Sequence, residues 1–230
     1  MITTRDVLDH INPDDPHRPR TAMVEVENTM NKGGGTVYDN SVLAEISEVS
    51  RMHGLKYHLD GAGIFNALAV TGQAAAECGA MFDSISVCFS KGLGAPVGSV
   101  LLGDREFIRK AKRVRKVFGG GMRQAGYLAT AGIYALDHHI DRLKDDHKRA
   151  MVLEDMLKVL PWVDEVLPVE THIVIFRVKP PLTAAAVCLE FEKQGLKAIA
   201  FDKQSIRLVT HLDFTDEMPD RVSEILRIPF

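Results

Sequence analysis

The sequence predicts an α/β chain: a large N-terminal domain built on a mostly parallel sheet with helices, followed by a small C-terminal α+β lobe. Two observations predict it. Between Thr21 and Leu102, short runs with strand character are separated by stretches with helical spacing, the order that the crossover connections of a parallel sheet require. Beyond Leu160 the runs become short and closely spaced, with Pro180-Pro181 and Gln194-Gly195 as turns. The expected division is a large domain over 1–138, then a linker helix and small domain over 139–230.

The elements follow in order. After a polar, Pro-rich opening (Asn12-Pro13-Asp14-Asp15-Pro16), Thr21 to Glu27 alternates apolar and polar residues as a strand does. Gly33-Gly34-Gly35 forms a loop. Asp39, Asn40 or Ser41 then caps a helix in which Leu43, Ile46 and Val49 recur until Gly54 stops it. Leu55 to Leu59 reads as a second strand, and Ser84 to Phe89, after an alanine-rich stretch, as a third. Val97 to Leu102 is a fourth, leading into a helix capped by Asp104 with Phe107, Ala111 and Val114 on one face and a Lys110 to Lys116 basic cluster. Gln124 to Leu160 is helical, with a long helix through His139 to Val159 that resembles a linker between lobes. Strand 171–178, helix 182–194, strands 197–202 and 205–210 and a final helix from about Asp216 complete the lobe.

Composition narrows the function. With 46% hydrophobic and 26% charged residues the chain is globular, and 28 basic against 31 acidic residues leave a net charge of −3, so no broad cationic field exists to hold nucleic acid or a membrane. The apolar run Ile173-Val174-Ile175-Phe176 falls far short of the ~20 residues of a membrane helix. Met1 to Asp15 carries no signal-peptide stretch, so a cytoplasmic protein is expected. Cys78, Cys88 and Cys188 have no metal-spaced partners and are expected to be buried small hydrophobes; no metal site is expected. His138, His139 and His147 are assigned to a solvated helix face.

Asp60 follows one expected strand and Lys91 another, which puts both in the crevice beyond the carboxyl ends of a parallel sheet, where open α/β folds bind ligands. As a pair they suggest pyridoxal phosphate chemistry. A lysine amine holds an aldehyde cofactor as an imine, and a carboxylate facing the pyridine nitrogen keeps it protonated, so that the ring absorbs electrons from a breaking bond. The bland alternatives are a turn-forming Asp before Gly61-Ala62 and a solvated loop Lys between Ser90 and Gly92. Gly119-Gly120-Gly121-Met122-Arg123-Gln124 at a helix start suits a phosphate, though a plain loop reads the same way and the lysine and hydroxyl of a P-loop are missing. Arg207, among the apolar Ile206, Leu208 and Val209, calls for a carboxylate, structural or from an amino-acid substrate.

Glu27-Asn28-Thr29, His58-Leu59-Asp60-Gly61-Ala62, the run Ser86 to Ser99 containing Ser90-Lys91-Gly92-Leu93-Gly94-Ala95-Pro96, the run Gly119 to Gly126, and Ile206-Arg207 resemble the threonine aldolases of the β-eliminating lyase group. The resemblance runs from Pro13 nearly to the end. It implies a fold-type-I pyridoxal-phosphate-dependent large domain, here partial, and retro-aldol cleavage of L-threonine or L-allo-threonine to glycine and acetaldehyde. It also implies Lys91 as the lysine joined to the cofactor, Asp60 as partner of the pyridine nitrogen, Arg123 at a phosphate, and Arg207 at the carboxylate of a β-hydroxy-α-amino acid. A homodimer or homotetramer is implied as well. Another fold-type-I activity, β-elimination or transamination, is the enzymatic alternative, and an inactive remnant the other.

Two departures from the pattern carry expectations. Gly63 stands where the family reads arginine, so a carboxylate clamp is lost and Gly63→Arg is expected to improve catalysis. The chain also starts about a third of the way into such an enzyme, without the loop that cradles the phosphate. The expectation is a fragment that binds the cofactor weakly and exposes a sheet edge and apolar face.

Overall fold

Alternating Val and acidic residues set the first strand of the computed structural model, which describes residues 1–227. In β1 (Met23–Glu27) Val24 and Val26 are buried while Met23 and Glu25 are exposed. A short helix that the Pro-rich opening conceals, α1 (Thr4–Asp9), precedes it; Thr3 caps Asp6 N while the Asp6 carboxylate accepts from Thr3 N at 2.7 Å. In α2 (Asn40–Met52) the Asp39 carboxylate accepts from Ser41 N, Leu43 and Ile46 are fully buried, and Gly54 ends the turn with φ 66°. The rest of this unit comprises β2 (Lys56–Gly61), α3 (Ile64–Thr71), α4 (Ala75–Gly79), β3 (Ser84–Cys88), β4 (Ser99–Gly103), α5 (Arg105–Val117) and α6 (Gly126–His138).

These strands form one sheet in the order β1-β2-β3-β4. The first two pairings are parallel and β3–β4 is antiparallel. The connection explains the reversal. Between β3 and β4 runs only the loop 89–98, closed by Phe89 N donating to Gly98 O at 3.0 Å, and a parallel return needs a longer crossover. Strand alternation separates two faces. Val24, Val26, Tyr57 and Leu59 are buried on one, with Leu43 and Ile46 of α2; Glu25, Glu27, His58, Asp60, Ser84 and Ser86 share the other. The apolar stripe expected on α5 is there, yet no α5 residue is buried: Phe107 is 38% and Val114 52% exposed.

The chain divides into two compact units, the first of Met1–Thr29 with Val37–Ile140, the second of Met30–Thr36 with the chain from Asp141 on. The second unit contains α7 (Leu143–Lys158), β5 (Val163–Val166), β6 (Ile173–Val178), α8 (Ala184–Lys193), β7 (Ile199–Ala200), β8 (Ser205–Val209) and α9 (Met218–Leu226). Its sheet is antiparallel throughout, in the order β5-β6-β8-β7. Val174, Phe176, Val178, Ile206 and Leu208 form a core with Leu153 and Leu157 of α7, Val187 and Phe191 of α8, and Val222 and Ile225 of α9. Inside this unit Asp146, its side chain 1% exposed, is paired with Arg142 and Arg149, and Arg149 reaches Asp216 at 2.7 Å.

The expected strand 197–202 shrinks to Ile199–Ala200, and β5 escaped the pattern because Asp164 and Glu165 face solvent between Val163 and Val166. Of the cysteines Cys78 alone is buried; Cys88 and Cys188 are half-buried. Among the described residues no helix is long and apolar enough to cross a membrane.

Candidate active site

Asp60 is the penultimate residue of β2, in register with Glu27 of β1 and Ser86 of β3. Its surroundings fix it. Asn28 N donates to the Asp60 carbonyl at 3.0 Å, and Ala62 N donates to Oδ1 at 3.0 Å, so one carboxylate oxygen is held by the turn that leaves the strand. His58, two residues earlier on the same face, is bonded through Nδ1 to Ser84 Oγ at 2.7 Å.

Lys91 lies just past the end of β3, so Asp60 and Lys91 come to the same carboxyl edge of two neighbouring parallel strands. The lysine loop is pinned while the lysine itself is exposed. Gly94 N donates to Lys91 O and Ala95 N to Phe89 O, both at 2.9 Å, and Leu93 and Ala95 are buried. Gly94 has φ 69°, a conformation that favours glycine. Just past α6, His139 Nδ1 meets Leu93 O at 2.6 Å, and Gly132 within the helix presses so near the Phe89 ring that a Cβ there would sit 3.1 Å from it.

Arg123 is exposed in the glycine-rich loop ahead of α6, where Gly119 and Gln124 have φ of 81° and 52°. Among the described residues no hydrogen bond or ion pair ties Arg123 to Asp60 or Lys91. Arg207 belongs to the second unit, at the centre of β8. Of the two carboxylates the sequence allowed, the structural one gives way to a neutral partner. Nη1 donates to Asn31 Oδ1, the guanidinium lies 5.8 Å from the Phe201 ring centroid, and Nε is buried with no partner among the described residues.

One expectation needs correction and another meets a steric obstacle. Gly63 opens α3, and a Cβ added there would lie 2.5 Å from Thr29 Oγ1 and 3.0 Å from Thr29 N, so any side chain at this position requires Thr29 to shift. The solvated helix face accounts for His138 alone: His139 is half-buried on Leu93 O, and His147 is buried, its pKa lowered by that burial with Asp146 opposing. Asn31 was missed, since a lone Asn beside three glycines reads as a turn.

Threonine aldolase from Leishmania major shares the fold, with a TM-score of 0.82 at 19% identity over 98% of this chain and 66% of that one. An ornithine δ-aminotransferase from Plasmodium falciparum does so at a TM-score of 0.68, with 15% identity over 97% and 58%. The chain belongs to the beta-eliminating lyase family, whose profile matches residues 1–180. It is similar to the low specificity L-threonine aldolase of Escherichia coli K12, 41% identical over 207 residues, which are 90% of this chain and 60% of that protein. It is also 38% identical over 200 residues to low-specificity L-threonine aldolase 1 of Arabidopsis thaliana, covering 86% and 56%. The chain thus spans little more than half the length of these relatives.

Proposed function

We propose that this chain takes part in the pyridoxal-phosphate-dependent cleavage of L-threonine and L-allo-threonine to glycine and acetaldehyde. The observation that supports the reading is that Asp60 stands at, and Lys91 three residues past, the carboxyl end of adjacent parallel strands, in a chain 41% identical to a low specificity L-threonine aldolase. The residues fit the cofactor. Asp60, with one oxygen engaged by Ala62 N, would pair with the ring nitrogen, Lys91 is an exposed amine on a pinned loop that would hold the aldehyde, and Arg123 with the Gly119-Gly120-Gly121 loop would offer donors for the phosphate. When bound, the cofactor supplies a protonated ring that accepts the electron pair of the breaking Cα–Cβ bond.

In this reading Lys91 would hold the cofactor's aldehyde, and the negative charge of Asp60 would keep the ring nitrogen protonated. Arg207 receives the substrate carboxylate, a charge-assisted contact that orients the amino acid. We assign the protein to the cytoplasm, which suits its three free thiols, and to a homodimer or homotetramer. Exposed Leu101, Leu102, Val117 and Phe118 support a covering subunit.

The test is product analysis. Purified protein with added pyridoxal phosphate and L-threonine should release acetaldehyde and glycine in equal amounts, read by a coupled alcohol dehydrogenase and by chromatography, and Lys91→Ala should release neither. Ammonia with a keto acid as products would replace the reading with another activity of the same fold.

A further inference from the structure

The segment Met30–Thr36 leaves the first unit and lies on the second unit's sheet. It closes on itself through Met30 N to Thr36 O at 3.0 Å, Gly35 N to Met30 O at 2.8 Å and Gly34 N to Asn31 O at 3.2 Å. Its glycines let it approach the sheet. Gly34 faces Ile175 and Leu167, and a Cβ on Gly35 would sit 2.3 Å from Thr171 Oγ1, which donates to Gly35 O at 2.7 Å. The side chain that this pinned strap delivers to β8 is Asn31, whose Oδ1 takes Nη1 of Arg207.

We infer that Asn31 is a positioning residue: it fixes the Arg207 guanidinium above Phe201 so that the Nε side of the fork is kept for a substrate carboxylate. The inference deepens the reading of Arg207 given above and rests on it. The guanidinium is planar, so holding Nη1 on one side sets the plane and the direction of Nε–H on the other. That Nε is buried without a partner among the described residues, the state of a donor that awaits an acceptor. A neutral amide suits the task. It accepts a hydrogen bond and leaves the positive charge in place, whereas a carboxylate at the same position would hold Arg207 more firmly and compete with the substrate.

The experiment uses the whole chain with added pyridoxal phosphate and L-threonine, in wild type, Asn31→Ala, Asn31→Asp and Arg207→Ala. A second readout needs no cofactor: the ¹⁵N–¹H resonance of Arg207 Nε, assigned through Arg207→Lys. Asn31→Ala should raise KM about five- to tenfold with kcat within about twofold, and should shift the Nε resonance. Asn31→Asp should raise KM further while its thermal midpoint matches or exceeds wild type, a divergence that a merely structural role does not produce. An unshifted Nε resonance in Asn31→Ala, or an Asn31→Asp variant with KM at or below wild type, overturns the inference. If Arg207→Ala alone raises KM, only the inference fails; if it leaves KM unchanged, or wild type shows no response to threonine, the reading of Arg207 fails with it.

Discussion

Adding any side chain at Gly63 should destabilise the first unit, and the cost should be set at Cβ. A Cβ there stands 2.5 Å from Thr29 Oγ1, 3.0 Å from Thr29 N and 3.4 Å from Thr29 Cβ. The nearest atom belongs to a short β-branched side chain and the second to the backbone, so neither swings aside freely. Overpacking of this kind costs about 1–3 kcal/mol. Gly63 is also the N-cap of α3, where glycine is better than alanine, which adds up to about 1 kcal/mol. Gly63→Ala should therefore lose about 1–4 kcal/mol, and Gly63→Arg a similar amount, because the guanidinium lies beyond the clash. At about 2–4 °C per kcal/mol for a chain of this size, the thermal midpoint should fall by roughly 2–16 °C. Scanning calorimetry reads it, with Thr29→Ala as a second-site partner that recovers part of the loss by deleting Oγ1. A Gly63→Arg variant as stable as wild type, or one that cleaves threonine faster, would refute the steric argument.

Three further outcomes are expected. His139→Ala removes the bond to Leu93 O, worth about 0.5–1.5 kcal/mol, and should speed tryptic cleavage after Lys91, while His139→Asn restores much of the protection. Burial lowers the His147 pKa, so below about pH 6.5 the unfolded chain takes up a proton that the folded chain does not. Stability should be full above that pH and decline as the pH falls through the window down to the folded value, and His147→Gln should flatten that slope in urea titrations at stepped pH. Asp146→Asn leaves Arg142 and Arg149 without their buried counter-charge and should cost about 3–5 kcal/mol in the second unit, measured by urea unfolding; a loss below about 1 kcal/mol would show the cluster to be screened.

How far the sequence could be read follows from how local each signal is. β1, α2 and α5 were legible because their signals are short-range: alternating Val24 and Val26, the Asp39 and Asp104 caps, and the Leu43 and Ile46 spacing. The strand-edge positions of Asp60 and Lys91 were legible because topology alone sets the place of a residue at or just past the end of a parallel strand, although Asp60 falls inside β2 as its penultimate residue. What could not be read depends on contacts between distant segments. Asn31 meets Arg207 across 176 positions, and the occupied space beside Gly63 belongs to Thr29, so neither the neutral partner nor the clash leaves a trace in local pattern. Likewise His139 and His147 sit close together on helical sequence, and only packing against Leu93 or into the core tells a loop anchor from a buried imidazole.

The reading depends most on Lys91 being the amine that meets the cofactor, and chemical trapping tests it directly. Incubation with pyridoxal phosphate, reduction with borohydride and peptide mapping should find the pyridoxyl group on Lys91, and Asp60→Ala should weaken the labelling at that position. Label scattered over the exposed lysines, or unchanged in total when Lys91 is replaced by alanine, would contradict the account.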